Sequence, residues 1–175
     1  MKKEMRLYNL IFPTFMLFAF HPILLSISLA GNFIIDSLIL IIISLVIFKN
    51  LDLTLYKRAI LKVWICGFIA DFLGAITLTA VSFAVDAEYK IGNDLYSKII
   101  TGIYCAVNHS PFDSIWGVVY VCCGIAFSAI LLFIFNYYFC LHNTSLSKKQ
   151  RLFSALAIAI FTAPYTFLLP KDLFY

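Results

Sequence analysis

Charge is what this sequence has least of. Thirteen basic and nine acidic side chains make up 13% of its 175 residues, where an ordinary soluble domain carries about a quarter. So few charges cannot cover a water-soluble globule of this size, which excludes a soluble enzyme. With 63% of residues apolar, a disordered chain is excluded too. Arginine is scarcer still, with only Arg6, Arg58 and Arg151, so there is no phosphate-gripping arginine cluster. Walker A, G-x-S-x-G and G-x-G-x-x-G motifs are also missing. The net charge of +4 is not a nucleic-acid footprint, because the basic residues sit in small groups between apolar runs, and no nucleic-acid partner is expected.

Cysteine and histidine patterns exclude further classes. Cys66, Cys105, Cys122, Cys123 and Cys140 make no C-x-x-C pair, which argues against a membrane thiol oxidoreductase. Four of them lie inside apolar runs, where a cysteine serves as a small buried side chain. His21, Asp36, His109 and Asp113 are the available metal-binding types. No H-x-x-x-H, H-E-x-x-H or Cys-His spacing joins them, so neither a metal nor a cofactor is expected.

What the chain does have is apolar length, with a mean hydropathy of +0.97. A membrane-crossing helix needs about 20 apolar residues. Runs of that order extend over Leu7–Leu29, Asn32–Phe48, Ala59–Ala84, Pro111–Cys140 and Leu152–Leu169. The sequence therefore predicts an all-α, polytopic integral membrane helix bundle, forming a single transmembrane domain over 1–175. A short stretch, Leu95–Val107, repeats apolar residues at helical spacing but is too short to cross. It reads as an interfacial outer helix capped by Asp94. Ser110-Pro111-Phe112-Asp113 has the form of a capping box opening the fourth span. Pro164 predicts a kink in the fifth, with Thr162 and Thr166 able to satisfy freed backbone groups.

Charge asymmetry predicts orientation. With five spans and the N-terminus inside, only Lys90, Lys98 and Lys171 among the thirteen basic residues lie outside. The expected location is the plasma membrane, multi-pass, with the N-terminus cytoplasmic and the C-terminus extracytoplasmic. Ser28-Leu29-Ala30 before Gly31 imitates a signal-peptide cleavage site. The run before it is longer than a usual signal core, however, and is interrupted by Pro13, His21 and Pro22.

Three ionisable side chains inside apolar runs stand out, His21, Asp36 and Asp71; such a group costs at least about 2.5 kcal/mol and is a functional hypothesis by default. Asp71 lies near the middle of its run, on a face with Trp64, Gly67, Gly74, Ala75 and Leu78. The fourth run answers with Gly117, Gly124 and Ser128, which predicts close packing of the two spans. Tyr120, at similar depth, is the expected hydrogen-bond donor to Asp71. Asn32 is expected to cap the second span, with Asp36 one turn in, about 7 Å below the outer surface. His21, at a similar depth in the first span, is a natural partner for Asp36. A purely structural role for each of these residues is the competing reading.

Together these features point to a protein that binds or moves a small ligand or cation through a polar layer around Asp36 and Asp71. Asp71, Asp36, His21, Tyr120 and Asn32 are the candidate site, reached from outside beneath Leu95–Val107. Five spans lack the paired halves of secondary transporters, so a homodimer or a partner membrane protein would complete such a carrier. The alternative is a non-catalytic accessory subunit that binds another membrane protein. The third reading is an intramembrane aspartate-dependent hydrolase. Against it stands the expected depth of the two aspartates, about 7 Å for Asp36 and about 16 Å for Asp71.

Overall fold

The computed structural model describes residues 22–49, 52–86 and 94–170, and every regular element among them is helical. Helix α1 spans Pro22–Phe48, α2 Leu53–Asp86, α3 Leu95–Asn108, α4 Ile115–Phe135 and α5 Lys148–Phe161. Short helical turns lie at Pro111–Asp113, Asn136–Cys140 and Tyr165–Leu168. The chain divides into two compact units. The first includes Gly74–Ile125, and the second is built from Ser26–Leu73 and Ala126–Pro164.

Among the described residues, four segments are long and apolar enough to cross a membrane: Leu25–Ile47, Leu53–Val85, Ile115–Cys140 and Lys148–Leu168. Only 22% to 39% of the most apolar stretch of each is buried among the described residues, so much of its apolar surface is left uncovered by them. In water such a surface would drive aggregation, whereas in lipid it matches the solvent. The buried set, by contrast, contains Asp36, Ser44, Ser128, Asn136 and Ser154.

The expected break between the first two runs does not occur, because α1 passes through Ala30, Gly31 and Asn32 without interruption. Gly31 needs no left-handed backbone there. In an apolar phase a broken helix would leave backbone groups unsatisfied, so continuing it is favoured. Asn32 is accordingly a mid-helix residue and not a cap. Residues 7–21, the first part of the expected first span, lie outside the described residues. Lys49 takes the left-handed conformation (φ 56°) that commonly ends a helix.

Two other boundaries differ from expectation. Ser110 caps only the three-residue turn Pro111–Asp113, its side chain accepting from the Phe112 N–H. The long helix begins afresh at Ile115, where the Ser114 hydroxyl accepts from the Trp116 N–H at 3.3 Å. Beside Pro164 the fifth segment is broken in place of the expected kink: α5 ends at Phe161 and a short helical turn resumes at Tyr165. The Thr162 N–H and hydroxyl both bond the Ile158 carbonyl, at 2.9 and 2.8 Å. The residue before a proline resists helical geometry, which makes stopping short the easier course.

Helix α3 forms over Leu95–Asn108 with Asp94 as its N-cap. The Asp94 carboxylate accepts the Ser97 hydroxyl at 2.6 Å and the Ser97 N–H at 3.2 Å. These bonds hold its pKa below the usual carboxylate value. The cap is therefore intact at neutral pH and is lost as pH falls through that lowered pKa. We expect Asp94→Ala to reduce hydrogen-exchange protection at Ser97 and Lys98 at pH 7, with no difference from wild type once the carboxylate is protonated.

Glycines bring α3 against α4 within the first unit. A Cβ on Gly102 would sit 2.5 Å from the Trp116 Cβ and 2.9 Å from the Gly117 nitrogen. One on Gly117 would lie 2.8 Å from the Pro111 carbonyl oxygen. Backbone cannot yield as a flexible side chain does. Gly102→Ala and Gly117→Ala should thus each lower stability in detergent by roughly 1–3 kcal/mol. Gly31→Ala, which meets nothing within 4 Å, should be neutral or stabilising by up to about 1 kcal/mol. Equal thermal shifts for all three would contradict this packing.

Candidate functional site

The polar residues that matter lie in the second unit, where α1 and α2 run antiparallel on either side of a short link. Side chains join the two helices along their length. The Asp52 N–H donates to the Ser44 hydroxyl at 2.6 Å, and the Tyr56 hydroxyl to Ser37 at 3.1 Å. The Trp64 indole N–H donates to the Leu29 carbonyl at 2.9 Å, and the same ring meets Phe33 edge-on at 5.9 Å. These contacts set the register that brings Asn32 and Asp36 to the level of Asp71.

Asp36 is 3% exposed. Its Oδ2 lies 3.7 Å from where a Gly67 Cβ would be, and the Leu132 side chain is 3.8 Å from the same point. The missing side chain at Gly67 leaves the space that the Asp36 carboxyl lies against, and α4 packs beside it through Leu132. Asp71 follows Gly67 by one turn of α2. The Asn32 amide donates to Asp71 Oδ2 at 3.4 Å, a long and therefore weak bond. Asp71 Oδ1 is buried with no hydrogen-bond partner among the described residues.

The expected depth of Asp36 needs correction. Because α1 is continuous from Pro22, Asp36 stands midway along it, and Asp71 stands midway along α2. The two carboxyls are neighbours and not separate layers. Tyr120 is corrected as well. Its hydroxyl donates to the Leu78 carbonyl within the first unit, so its single proton is engaged there and the donor to Asp71 is Asn32. Leu78 is held in place by Gly124, onto whose backbone it packs. The small residues of α4 thus take several partners, with Gly117 against α3 and Gly124 against α2. His21 lies outside the described residues.

Composition also hid some polar atoms. Asn136 is fully buried directly after α4, the most apolar helix among the described residues. Its amide donates to the Leu132 carbonyl at 2.8 Å, while its Oδ1 has no partner among the described residues. It opens the single π turn Asn136–Cys140, a feature that often marks functional positions. Ser128 and Ser154 hydroxyls are likewise buried without partners there. An asparagine within an apolar run was the one legible signal. Among the described residues no three His, Cys, Asp or Glu side chains gather to hold a metal, and all five cysteines are free.

The polar groups at the end of α3 and just after it are accounted for locally. The Asn108 amide donates to the Tyr104 carbonyl at 3.1 Å, and His109 is the exposed C-cap of α3. Asp113 is exposed, and its charge, after burial, pushes up the Cys105 thiol pKa.

Comparison with protein-family models, with curated proteins and with solved structures finds no match to this chain. The reading of the site therefore rests on its geometry.

If the Asn32 amide holds the Asp71 carboxyl, the two residues are energetically coupled. A double-mutant cycle of Asn32→Ala with Asp71→Ala should return about 0.6–1.7 kcal/mol, the range of hydrogen bonds inside membranes. Strict additivity would remove Asn32 from the site.

Proposed function

We propose that this protein binds a small cation or cationic ligand at the Asn32–Asp36–Asp71 cluster, and moves it if a second copy or a partner membrane protein completes the pathway. The observation that carries this reading is the placement of two carboxyls midway along neighbouring apolar helices, Asp36 against Gly67 one turn from Asp71, with one Asp71 oxygen buried and without a partner among the described residues. A membrane ionisable group is costly, and its usual roles are in ion pathways and ligand binding. The available protein donor, the Asn32 amide, reaches Asp71 only at 3.4 Å. That leaves acceptor capacity for an incoming positive charge.

On this reading the chain sits in the plasma membrane with its N-terminus cytoplasmic, which places the Lys57–Lys62 and Lys148–Arg151 basic groups inside. A fifth span within residues 7–29 would have to be shorter than first expected, since α1 already claims residues from Pro22. Helix α3, with Leu95 and Tyr96 exposed, then lies at the outer interface.

One observation favours a second reading. The matched depth of Asp36 and Asp71 removes the objection to an aspartate pair acting as acid and base in intramembrane hydrolysis.

The deciding experiment is thermal stability of the purified protein in detergent, screened against monovalent cations, divalent cations and small organic amines. Asp36→Asn and Asp71→Asn are run beside wild type. A ligand at 100 times its dissociation constant adds about 2.7 kcal/mol. We expect one cation class to give such a shift in wild type and none in Asp71→Asn. No shift in any condition would favour an accessory, partner-binding role. Cleavage of a membrane-peptide panel that both substitutions abolish would favour the hydrolase.

A further inference from the structure

A second polar feature of the same unit lies closer than the aspartates to the link between α1 and α2. Where α2 emerges from its link to α1, a cavity of about 410 Å³ is lined by Arg58, Lys62, Cys140, Asn143 and Thr144. A neighbouring depression of about 260 Å³ shares Arg58 and Thr144 and adds Asp52, Thr54, Leu55 and Ser145. Arg58 and Lys62 are four residues apart on one helix, so they leave the same face. No acid lines the larger cavity, and the two positive charges add there. Asn143 takes up the His142 ring nitrogen with its Oδ1 at 2.9 Å, which leaves the amide NH2 available. The Thr144 hydroxyl donates to the Leu141 carbonyl at 2.6 Å and so shapes the rim. Asp52 accepts the Thr54 and Leu55 N–H groups at 2.9 and 3.1 Å, where it caps α2.

Depth is the second line of argument. Helix α2 has 34 residues, about 50 Å at 1.5 Å per residue, against a hydrocarbon thickness of about 30 Å. Roughly 20 Å of it must lie beyond the hydrocarbon or tilt to fit. With Asp71 near the middle, the end that carries Lys57, Arg58 and Lys62 reaches the layer of lipid phosphates. Guanidinium and ammonium groups side by side are the usual recognition pair for a phosphate oxygen cluster.

We propose that the Arg58–Lys62 cavity is a phosphate-ester binding site, occupied by the headgroup of a phospholipid in the leaflet that holds the basic ends of α2 and α5. Arg58 and Lys62 bind the phosphate oxygens, and the Asn143 amide donates a further hydrogen bond. The site is independent of the aspartate cluster and stands or falls separately from it.

The test uses the full chain, purified and delipidated in a neutral detergent, with binding followed by native mass spectrometry and by thermal shift. The probes are a short-chain phosphatidylglycerol, the diacylglycerol with the same chains, and inorganic phosphate. Phosphatidylglycerol should bind and diacylglycerol should not. Arg58→Gln/Lys62→Gln should weaken phosphatidylglycerol at least about tenfold, whereas Lys148→Gln/Lys149→Gln, with the same loss of charge, should not. Asn143→Ala, in the loop outside the helices, should weaken binding about threefold or more and serves if the double variant does not fold. Inorganic phosphate that matches the lipid's effect, with the same dependence on Arg58 and Lys62, would support the anion site and assign it to free phosphate. Equal binding of phosphatidylglycerol and diacylglycerol would overturn the proposal. So would equal losses in the two double variants, or no loss in the first.

Discussion

A carboxyl midway along an apolar helix has no solvent to bond with, and the arrangement of α1, α2, α4 and α5 in the second unit answers that constraint. Asn32 reaches Asp71 only because α1 continues through Gly31, where a break would have sent the amide elsewhere. The register is held at other levels by Tyr56 on Ser37 and Trp64 on Leu29. Gly67 makes room for the Asp36 carboxyl between the two helices, and Leu132 covers that position from α4. Each contact is modest, since a hydrogen bond between membrane helices averages about 0.6 kcal/mol. An ionisable group there costs at least about 2.5 kcal/mol. The Asn32 bond does not offset two such groups, so stability alone gives no account of why both acids are present.

The rest of the interior follows the same logic with cheaper groups. Thr79 and Ser82 return their hydroxyl protons to the helix carbonyls of Ala75 and Thr79, at 2.7 and 2.8 Å. Tyr120 gives its proton to Leu78, and Asn136 gives its amide to Leu132. Donors thus tend to find a backbone carbonyl nearby, as hydrocarbon surroundings require. What stays unpartnered among the described residues is mostly oxygen: Asp71 Oδ1, Asn136 Oδ1 and the Ser128 and Ser154 hydroxyls, with Arg151 Nε as the exception. The Arg151 guanidinium has the Tyr137 ring instead, 4.5 Å away.

Much of the helical content was legible because apolar length and capping chemistry are local. Asp94 before Leu95–Val107 and the end of the fourth run at Cys140 both stand where the residues put them. Gly31-Asn32 misled because glycine and asparagine end helices in water, where exposed backbone is solvated, whereas a helix in lipid loses by stopping. That one boundary also set the wrong depth for Asp36, and with it the apparent separation of the two aspartates. Tyr120 matches Asp71 in depth and shares the small-residue face of the fourth run, which does not fix its partner. Which way a side chain points depends on helix rotation, and rotation is set by contacts such as Leu78 on Gly124. Asn136 carries no signal in the sequence beyond its residue type, because it stands alone among apolar neighbours near the end of the fourth run.

The donor and acceptor balance bears on what the cluster is for. When ionised, two carboxyls offer about eight lone-pair positions and bring no proton of their own, and the Asn32 amide supplies at most two protons, one already on Asp71. The Asn136 amide is engaged on Leu132, and the two serine hydroxyls can bring one proton each. An accessory subunit held by packing alone gains nothing from such an excess of acceptors. A hydrolase would use two carboxyls, yet it also needs a donor poised to stabilise a developing oxyanion, and among the described residues Asn32 is the one polar donor at the pair. A cation needs only oxygens, and oxygens are what this interior has in surplus. The balance of protons, more than the number of acids, is what supports a positively charged occupant.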